Sequence, residues 1–374
     1  MPRAIICGAG LAGCALAALL HDRGWQVTLV EARTDFGREG FTFTIQTPGW
    51  KTLEALDVAD SLKAEGYRLP AIRILSSSGR TLKEGTDVER FLPGATQVYR
   101  WKVVRALRER AAPCEFLAGK TITSFDLRDD SVSVQIADES TPRICDLLVG
   151  ADGVGSRIRS MAQMGESATH ETWSAAVLGP SRGDAFQVRF GTNNHFVIAP
   201  MGEPKSHWVL TSRTKFPSAD EPNAVREAFR RGLLAIGEDP AIADMELPLL
   251  LRNKEVSIPF WSKAGRLVLL GDAAHALLHT SGQGGTLALG DALCLAQKLE
   301  GNTVPQALVE YEKERRPVIE KARIFSHQAM RFNLPPWWLA PMRDFLLWAL
   351  PVKLITPHHP GSKSKSNTAP SVRA

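Results

Sequence analysis

Asp272 and His279 lie in one short stretch, Gly271-Asp272-Ala273-Ala274-His275-Ala276-Leu277-Leu278-His279-Thr280-Ser281-Gly282-Gln283-Gly284-Gly285. The apolar run Arg266 to Leu270 leads into it, and a helical pattern from Thr286 to Leu299 leads out. A carboxylate at the end of a buried strand, next to a glycine turn and a helix start, suits a polyol and an electron-poor ring. His279 has the side chain most easily tuned near neutral pH, which makes it a candidate to offer a hydrogen bond or a proton. The alternative is a turn residue without chemistry.

A second glycine turn opens the chain. Gly8-Ala9-Gly10-Leu11-Ala12-Gly13 follows the apolar run Ala4 to Cys7 and precedes a small-residue helix ending near Arg23. The next strand, Val27 to Val30, ends at Glu31, 18 residues after Gly13. A ribose-binding acid is expected about 20 residues after such a triad. Gly8 permits the tight turn, Gly10 lets backbone approach a pyrophosphate, and Gly13 lets the helix pack on the strand. Leu11 and Ala12 then contribute N–H groups at a helix N-terminus, where the dipole favours phosphate. The pattern predicts a dinucleotide but leaves NAD, NADP and FAD open.

A third turn narrows the choice. Asp152-Gly153-Val154-Gly155 follows the apolar run from Ile144 to Val149, with Arg157 and Arg159 close behind. Three turns, each after a strand, grip a long molecule along its length. That fits a tightly held FAD better than a transient NAD.

The elements that must position these turns follow from periodicity. Residues 50–65 are expected to be helical, with Leu53, Leu56 and Leu62 on one face. Residues 101–111 form another expected helix. Strands are expected at 72–75, 122–127, 132–136 and over 144–149, the last a continuous apolar strand broken only by Asp146. From about 170 to 260 strand-like segments (185–190, 195–199 and 207–211) surround an amphipathic helix at roughly 222–236, which predicts an inserted antiparallel sheet. A long charged helix covers 303–330. The Trp-rich segment 334–350, with Trp337, Trp338 and Trp348, is expected to pack on the core; the alternatives are a membrane-skimming helix or a lid.

Composition agrees with a folded enzyme. Of 374 residues, 44% are hydrophobic and 23% charged, an ordinary globular balance. The net charge of +5 is too small, and too scattered, to argue for nucleic acid. Cys7, Cys14, Cys114, Cys145 and Cys294 form no CxxC pair and no zinc spacing, so reduced thiols and a cytoplasmic setting are expected. No apolar run is long enough to span a bilayer.

In this order and at these spacings, the three turns resemble the FAD-dependent aromatic hydroxylases of the p-hydroxybenzoate hydroxylase type, a group that includes the tetracycline-inactivating monooxygenases. The resemblance covers about residues 3–320. It implies an α/β fold: a Rossmann-like FAD-binding domain of the GR2 type, an inserted antiparallel β-sheet substrate domain and a C-terminal helical segment. It assigns 1–70, 96–168 and 258–320 to the FAD-binding domain, 71–95 and 169–257 to the substrate domain, 321–356 to C-terminal helices and 357–374 to a disordered tail.

The resemblance also implies roles. Gly8, Gly10, Leu11, Ala12, Gly13 and Glu31 would hold the ADP part, and Arg33 or Arg100 would neutralise the phosphates. Asp152 and Gly153 would serve both FAD and NAD(P)H, and Asp272 would bond the ribityl chain. Gly282, Gly284, Gly285 and Thr286 would face the flavin's pyrimidine edge. NADPH or NADH would reduce FAD transiently, and O2 would form a flavin C4a-hydroperoxide that hydroxylates an aromatic or polycyclic small molecule. No metal is implied, and the oligomeric state stays open. Three positions depart from the family pattern: His279 replaces a usual proline, Thr286 a usual asparagine, and Gly290 a usual acid. Alternatives on the same fold are a flavin reductase or dehydrogenase, a halogenase-like enzyme, or a non-catalytic flavin-binding protein.

Overall fold

The apolar runs that precede the three glycine turns become neighbours in one sheet. The computed structural model describes residues 1–35, 42–86, 88–191, 193–202, 204–214, 221–246 and 248–350. At the sheet's centre is β1 (Arg3–Cys7). Parallel β2 (Gln26–Glu31) and β8 (Glu115–Ala118) extend it on one side, and parallel β12 (Leu147–Gly150) and β19 (Leu267–Leu269) on the other. A short antiparallel β18 (Ser262–Lys263) closes that edge. Parallel strands buried on both faces read as unbroken apolar runs, as Leu147–Gly150 and Leu267–Leu269 do, both buried throughout.

The continuous strand expected over 144–149 is two strands in different sheets. The Asp146 carboxylate accepts the Arg3 N–H at 2.7 Å, and the chain changes sheet there. Upstream, β11 (Arg143–Cys145) joins β9 (Ile122–Leu127) and β10 (Val132–Ile136) in a three-stranded antiparallel sheet. The helix expected over 50–65 is likewise two, α2 (Thr47–Glu54) and α3 (Ala59–Glu65). Between them Asp57 takes a φ of 58°, a left-handed conformation that ends a helix. Leu53, Leu56 and Leu62 are still all buried.

Packed on the parallel sheet is α1 (Leu11–Asp22), whose residues 11–20 are all buried. It lies against α5 (Arg100–Arg110) and α9 (Gly284–Lys298). A small sheet of β3 (Thr42–Ile45), β7 (Thr96–Tyr99) and β4 (Tyr67–Arg68) sits beside α9. The short α4 (Val88–Phe91), α6 (Arg157–Met161) and α8 (Asp272–His275) complete this half.

A seven-stranded sheet forms the other half. Its order is β17 (Leu249–Val256), β13 (Ser167–Pro180), β16 (Lys205–Ser212), β15 (Asn194–Pro200), β14 (Phe186–Phe190), β5 (Ile72–Leu75) and β6 (Thr81–Gly85). All its pairings are antiparallel except β14 with β5. One face carries Trp173, Phe196, Trp208 and Leu210, which pack on Phe229 and Leu233 of α7 (Pro222–Ala235). Alternation puts the next residues on the opposite face. There Ser174, Thr211, His195 and Phe190 form one row across four strands.

The long α10 (Val304–Asn333) starts at a Thr303–Gln306 capping box and touches both halves. Its Arg315 bonds Asp291 of α9, and its Arg323 bonds Glu255 of β17. The last described helix is α11 (Ala340–Ala349). The tail expected at 357–374 lies outside the described residues. Among the described residues, no helix is long and apolar enough to cross a membrane.

Candidate active site

The three glycine turns meet at the carboxyl ends of β1, β12 and β19. Backbone hydrogen bonds tie them together: Gly8 N–H to Val30 O, Ala151 N–H to Cys7 O, and Leu270 N–H to Gly150 O, at 2.8 to 2.9 Å. Ligands of open α/β sheets bind outside these strand ends. Here the first two turns border a cavity of about 1150 Å³, lined by Gly8, Gly10, Glu31, Arg33, Arg100, Asp152, Gly153 and Arg157, among others.

Each glycine of the first turn meets a different demand. Gly8 has a φ of 107°, and a Cβ there would lie 2.4 Å from Ala151 O. A Cβ on Gly13 would stand 1.8 Å from Gly8 O, so only glycine lets α1 seat on the turn. A Cβ on Gly10 would meet nothing within 4 Å, so this backbone borders open space. No side chain caps α1, which leaves its first N–H groups facing the cavity. Leu11 and Ala12 turn their side chains inward and offer only these backbone groups.

Glu31 already holds the turn: its Oε2 accepts the Ala9 N–H at 2.8 Å and its Oε1 the Arg33 N–H at 3.0 Å. Each carboxylate oxygen has a second lone pair for a ribose hydroxyl. Arg100 is open to the cavity yet ringed by protein. Desolvation lowers its pKa and Arg33 adds to this, while the Asp272 carboxylate opposes it. It therefore senses both ends of the site.

Asp152 is engaged at home. Its Oδ1 accepts Ser156 Oγ at 2.5 Å, and its Oδ2 accepts the N–H groups of Arg157 and Ile158. It thus fixes the start of α6 and the open Gly153, whose φ is 79°. Arg159, also flagged by the sequence, is buried. It ties this turn to the third, donating to Val154 O and Ala273 O at 2.8 Å each.

At the third turn, the Asp272 side chain is reached by solvent but deeply surrounded. Burial raises its carboxyl, against the pull of His275 and Arg100. Gly271 and Gly282 take φ of 56° and 61°. Gly284 and Gly285 begin α9, which has no side-chain cap. A Cβ on Gly285 would press on Phe43 at 2.7 Å. The Thr286 hydroxyl is turned away from the open side of the site: it is buried and accepts the Gln46 N–H at 3.2 Å.

Beneath the third turn lies a pair of residues that the sequence reading passed over. Asp291, fully buried, accepts from His275 Nε2 at 2.6 Å, Gly271 N–H at 3.1 Å and Arg315 Nε at 2.7 Å. Burial alone would raise its carboxyl, but His275 and Arg315 outweigh that and hold it down. Gly290 is explained here, since a Cβ would meet the Arg315 guanidinium at 3.2 Å. The missing acid makes room for the arginine.

His279 sits in a 3-10 turn (His279–Ser281) that lies against β13 and β16 of the seven-stranded sheet. Its Nε2 lies 2.9 Å from both Ser174 Oγ and Thr211 Oγ1. Desolvation lowers its pKa to about 4, so the ring is neutral at pH 7. Beyond the hydroxyls on the same face stand half-buried Val209 and Val197. Of the aromatic residues on this sheet, Phe196 and Trp208 face α7, and Phe190 is buried with Leu82 and Leu347.

The sequence reading also missed Trp101, Arg108 and Lys120, which line the cavity. The signal for Arg108 was present. Residues 100, 104 and 108 share one face of α5, while Val103 and Leu107 take the core, as helical spacing requires.

The arrangement fits FAD. An uncapped helix start beside open Gly10, an acid with spare acceptor sites and two arginines suit the ADP half. A deep carboxylate and an uncapped α9 suit the ribityl and pyrimidine end. The fold and site thus define a flavin-dinucleotide-binding α/β protein. A family model described as an FAD binding domain matches residues 2–326, and the chain belongs to that family.

Among curated relatives, it is 27% identical over 351 residues to an aurachin C monooxygenase/isomerase of Stigmatella aurantiaca, covering 89% of each chain. It is 28% identical over 370 residues to a 6-hydroxynicotinate 3-monooxygenase of Pseudomonas fluorescens, covering 90% of this chain and 94% of that one. Among solved structures, Klebsiella pneumoniae HpxO complexed with FAD and uric acid superposes with a TM-score of 0.84 at 20% identity, covering 95% of each chain.

Proposed function

We propose that this FAD-dependent monooxygenase hydroxylates an aromatic or polycyclic small molecule, with NADH or NADPH as transient reductant and O2 as co-substrate. Segments 1–70, 96–168 and 258–320 would hold the cofactor, and 71–95 with 169–257 the substrate. When bound, FAD supplies the redox chemistry: it accepts hydride and activates oxygen.

The chain's own residues position and shield. The glycine turns and Arg100 fix the dinucleotide, and Asp272 fixes its polyol. The face of the seven-stranded sheet opposite α7 offers the substrate Val197 and Val209, with Ser174, Thr211 and His279 at the polar edge. The contact that carries this reading is His279 Nε2 on Ser174 and Thr211. It joins the Asp272 turn to the sheet, so polyol and substrate sites meet at one point. With Nε2 occupied, Nδ1 is the ring nitrogen left for a ligand. A neutral ring places a hydroxyl or carbonyl by hydrogen bonding and does not act as an acid at pH 7.

The experiment is a panel of aromatic and polycyclic compounds scored by stimulated NAD(P)H oxidation together with mass gain of one oxygen. Oxidation that no compound stimulates, or stimulation without oxygen incorporation, would rule the reading out. His279→Pro should raise NAD(P)H consumption without product, because it deletes the hydrogen bond that orients the substrate. An unchanged ratio of product to NAD(P)H consumed would remove His279 from the site.

A further inference from the structure

Helix α11 is apolar apart from the Arg343–Asp344 pair, and only one side of it finds protein. Leu347 is buried with Phe190 and Leu82, and the Arg343 guanidinium lies 3.8 Å from the Phe190 ring centroid. The segment was expected to pack on the core, yet its outer side does not. Trp337, Trp338, Met342, Phe345, Leu346 and Trp348 are 41 to 69% exposed. Single exposed apolar residues are common, whereas a contiguous patch of this kind marks a surface that something covers.

Charge says what covers it. Arg80 stacks over the Trp348 ring at 5.1 Å, and Lys83 Nζ donates to Trp348 O at 3.2 Å. The sequence that follows, 351–374, holds Lys353, Lys363, Lys365 and Arg373 and no Asp or Glu. Tryptophan favours the boundary between hydrocarbon and water, and basic residues favour anionic headgroups. A second copy related by a two-fold axis would bring these cations against themselves.

We propose that α11 and the turn before it seat the enzyme on an anionic bilayer surface. The aromatic side chains enter the interface, and Arg80 and Lys83 meet the headgroups. This is attachment along the surface. The seat abuts Phe190, which pairs with His195, which in turn stands in register with Thr211 beside His279. A lipophilic molecule in the bilayer thus lies at the end of the row that carries the site.

The test is sedimentation of the full-length, FAD-loaded protein with vesicles of phosphatidylcholine alone or mixed with phosphatidylglycerol. The protein should pellet with the mixed vesicles and much less with the neutral ones, and salt should weaken the binding. The double variant Trp338→Ser/Phe345→Ser should bind about tenfold or more weakly, with its FAD content and circular dichroism unchanged. Arg80→Ser/Lys83→Ser should lower binding to the mixed vesicles alone, which keeps the test open if the first variant misfolds. No pelleting with either vesicle overturns the proposal, as does equal binding by wild type and both variants. A dimer that Trp338→Ser/Phe345→Ser converts to monomer, without vesicle binding, would make the patch a self-interface.

Discussion

Asp291 shows how much a single buried charge can organise. It has three donors, His275, Arg315 and the Gly271 N–H, and the last belongs to the turn that carries Asp272. Asp291→Ala would leave the Arg315 cation buried without its partner, a loss of about 3–5 kcal/mol. Urea unfolding should show that loss, and retained FAD should fall with it as the Gly271 turn loosens. A variant as stable as wild type would mean that Arg315 finds another anion. This residue was legible in principle: Asp291 lies four residues after Leu287 and four before Leu295, on the apolar stripe of α9, and an acid on such a stripe needs a buried partner. What could not be read was the partner, because Arg315 comes from a different helix. His279 was legible as a departure, but its partners were not, since Ser174 and Thr211 lie far from it in the sequence.

The glycine turns act as elements, and substitutions separate their two tasks. Gly10→Val adds a side chain into open space, so the fold should survive while the approach of phosphate is blocked. Gly13→Val places atoms against Gly8 O and should prevent α1 from seating, which abolishes folding. Purified wild-type protein should be yellow, and Gly10→Val should be folded and colourless. A yellow Gly10→Val would show that phosphate approaches elsewhere. Asp272→Ala should also shed most of the cofactor, as absorbance at the flavin band would record. The turns were readable because each demand falls on one residue type at fixed spacing. The strand over 144–149 and the helix over 50–65 were misread because their breaks rest on single residues: Asp146 bonds a remote N–H, and Asp57 adopts a left-handed conformation. Periodicity contains no term for either. β13 was not read as a strand at all, and its first half is polar, where it pairs at the sheet's end with Glu255 and Lys254.

At the scale of the whole molecule, the two halves meet through histidines. His195 and His207 stand on the sheet face turned toward the nucleotide-binding half, and His207 reaches Thr42 of β3 at 2.9 Å. Burial lowers both to about 3, from an ordinary value of 6.5. The unfolded chain therefore takes up protons that the folded one refuses. Stability is complete above pH 6.5 and is lost progressively as pH falls from there toward 3, by an amount on the order of a few kcal/mol. Melting temperature should fall between pH 7 and pH 5, and His195→Gln should flatten that slope. A melting temperature independent of pH would mean that these rings are solvated. Chain order also bears on synthesis. Helix α1 is among the first segments made, yet the α9 surface that covers it comes from residues 284–298. At the usual pace of translation the ribosome needs roughly 15–55 s to reach it. Until then Leu16, Leu19 and Leu20 have only part of their final cover. A nascent chain stalled before that point should leave one apolar side of α1 open to chaperones and proteases until α9 is made.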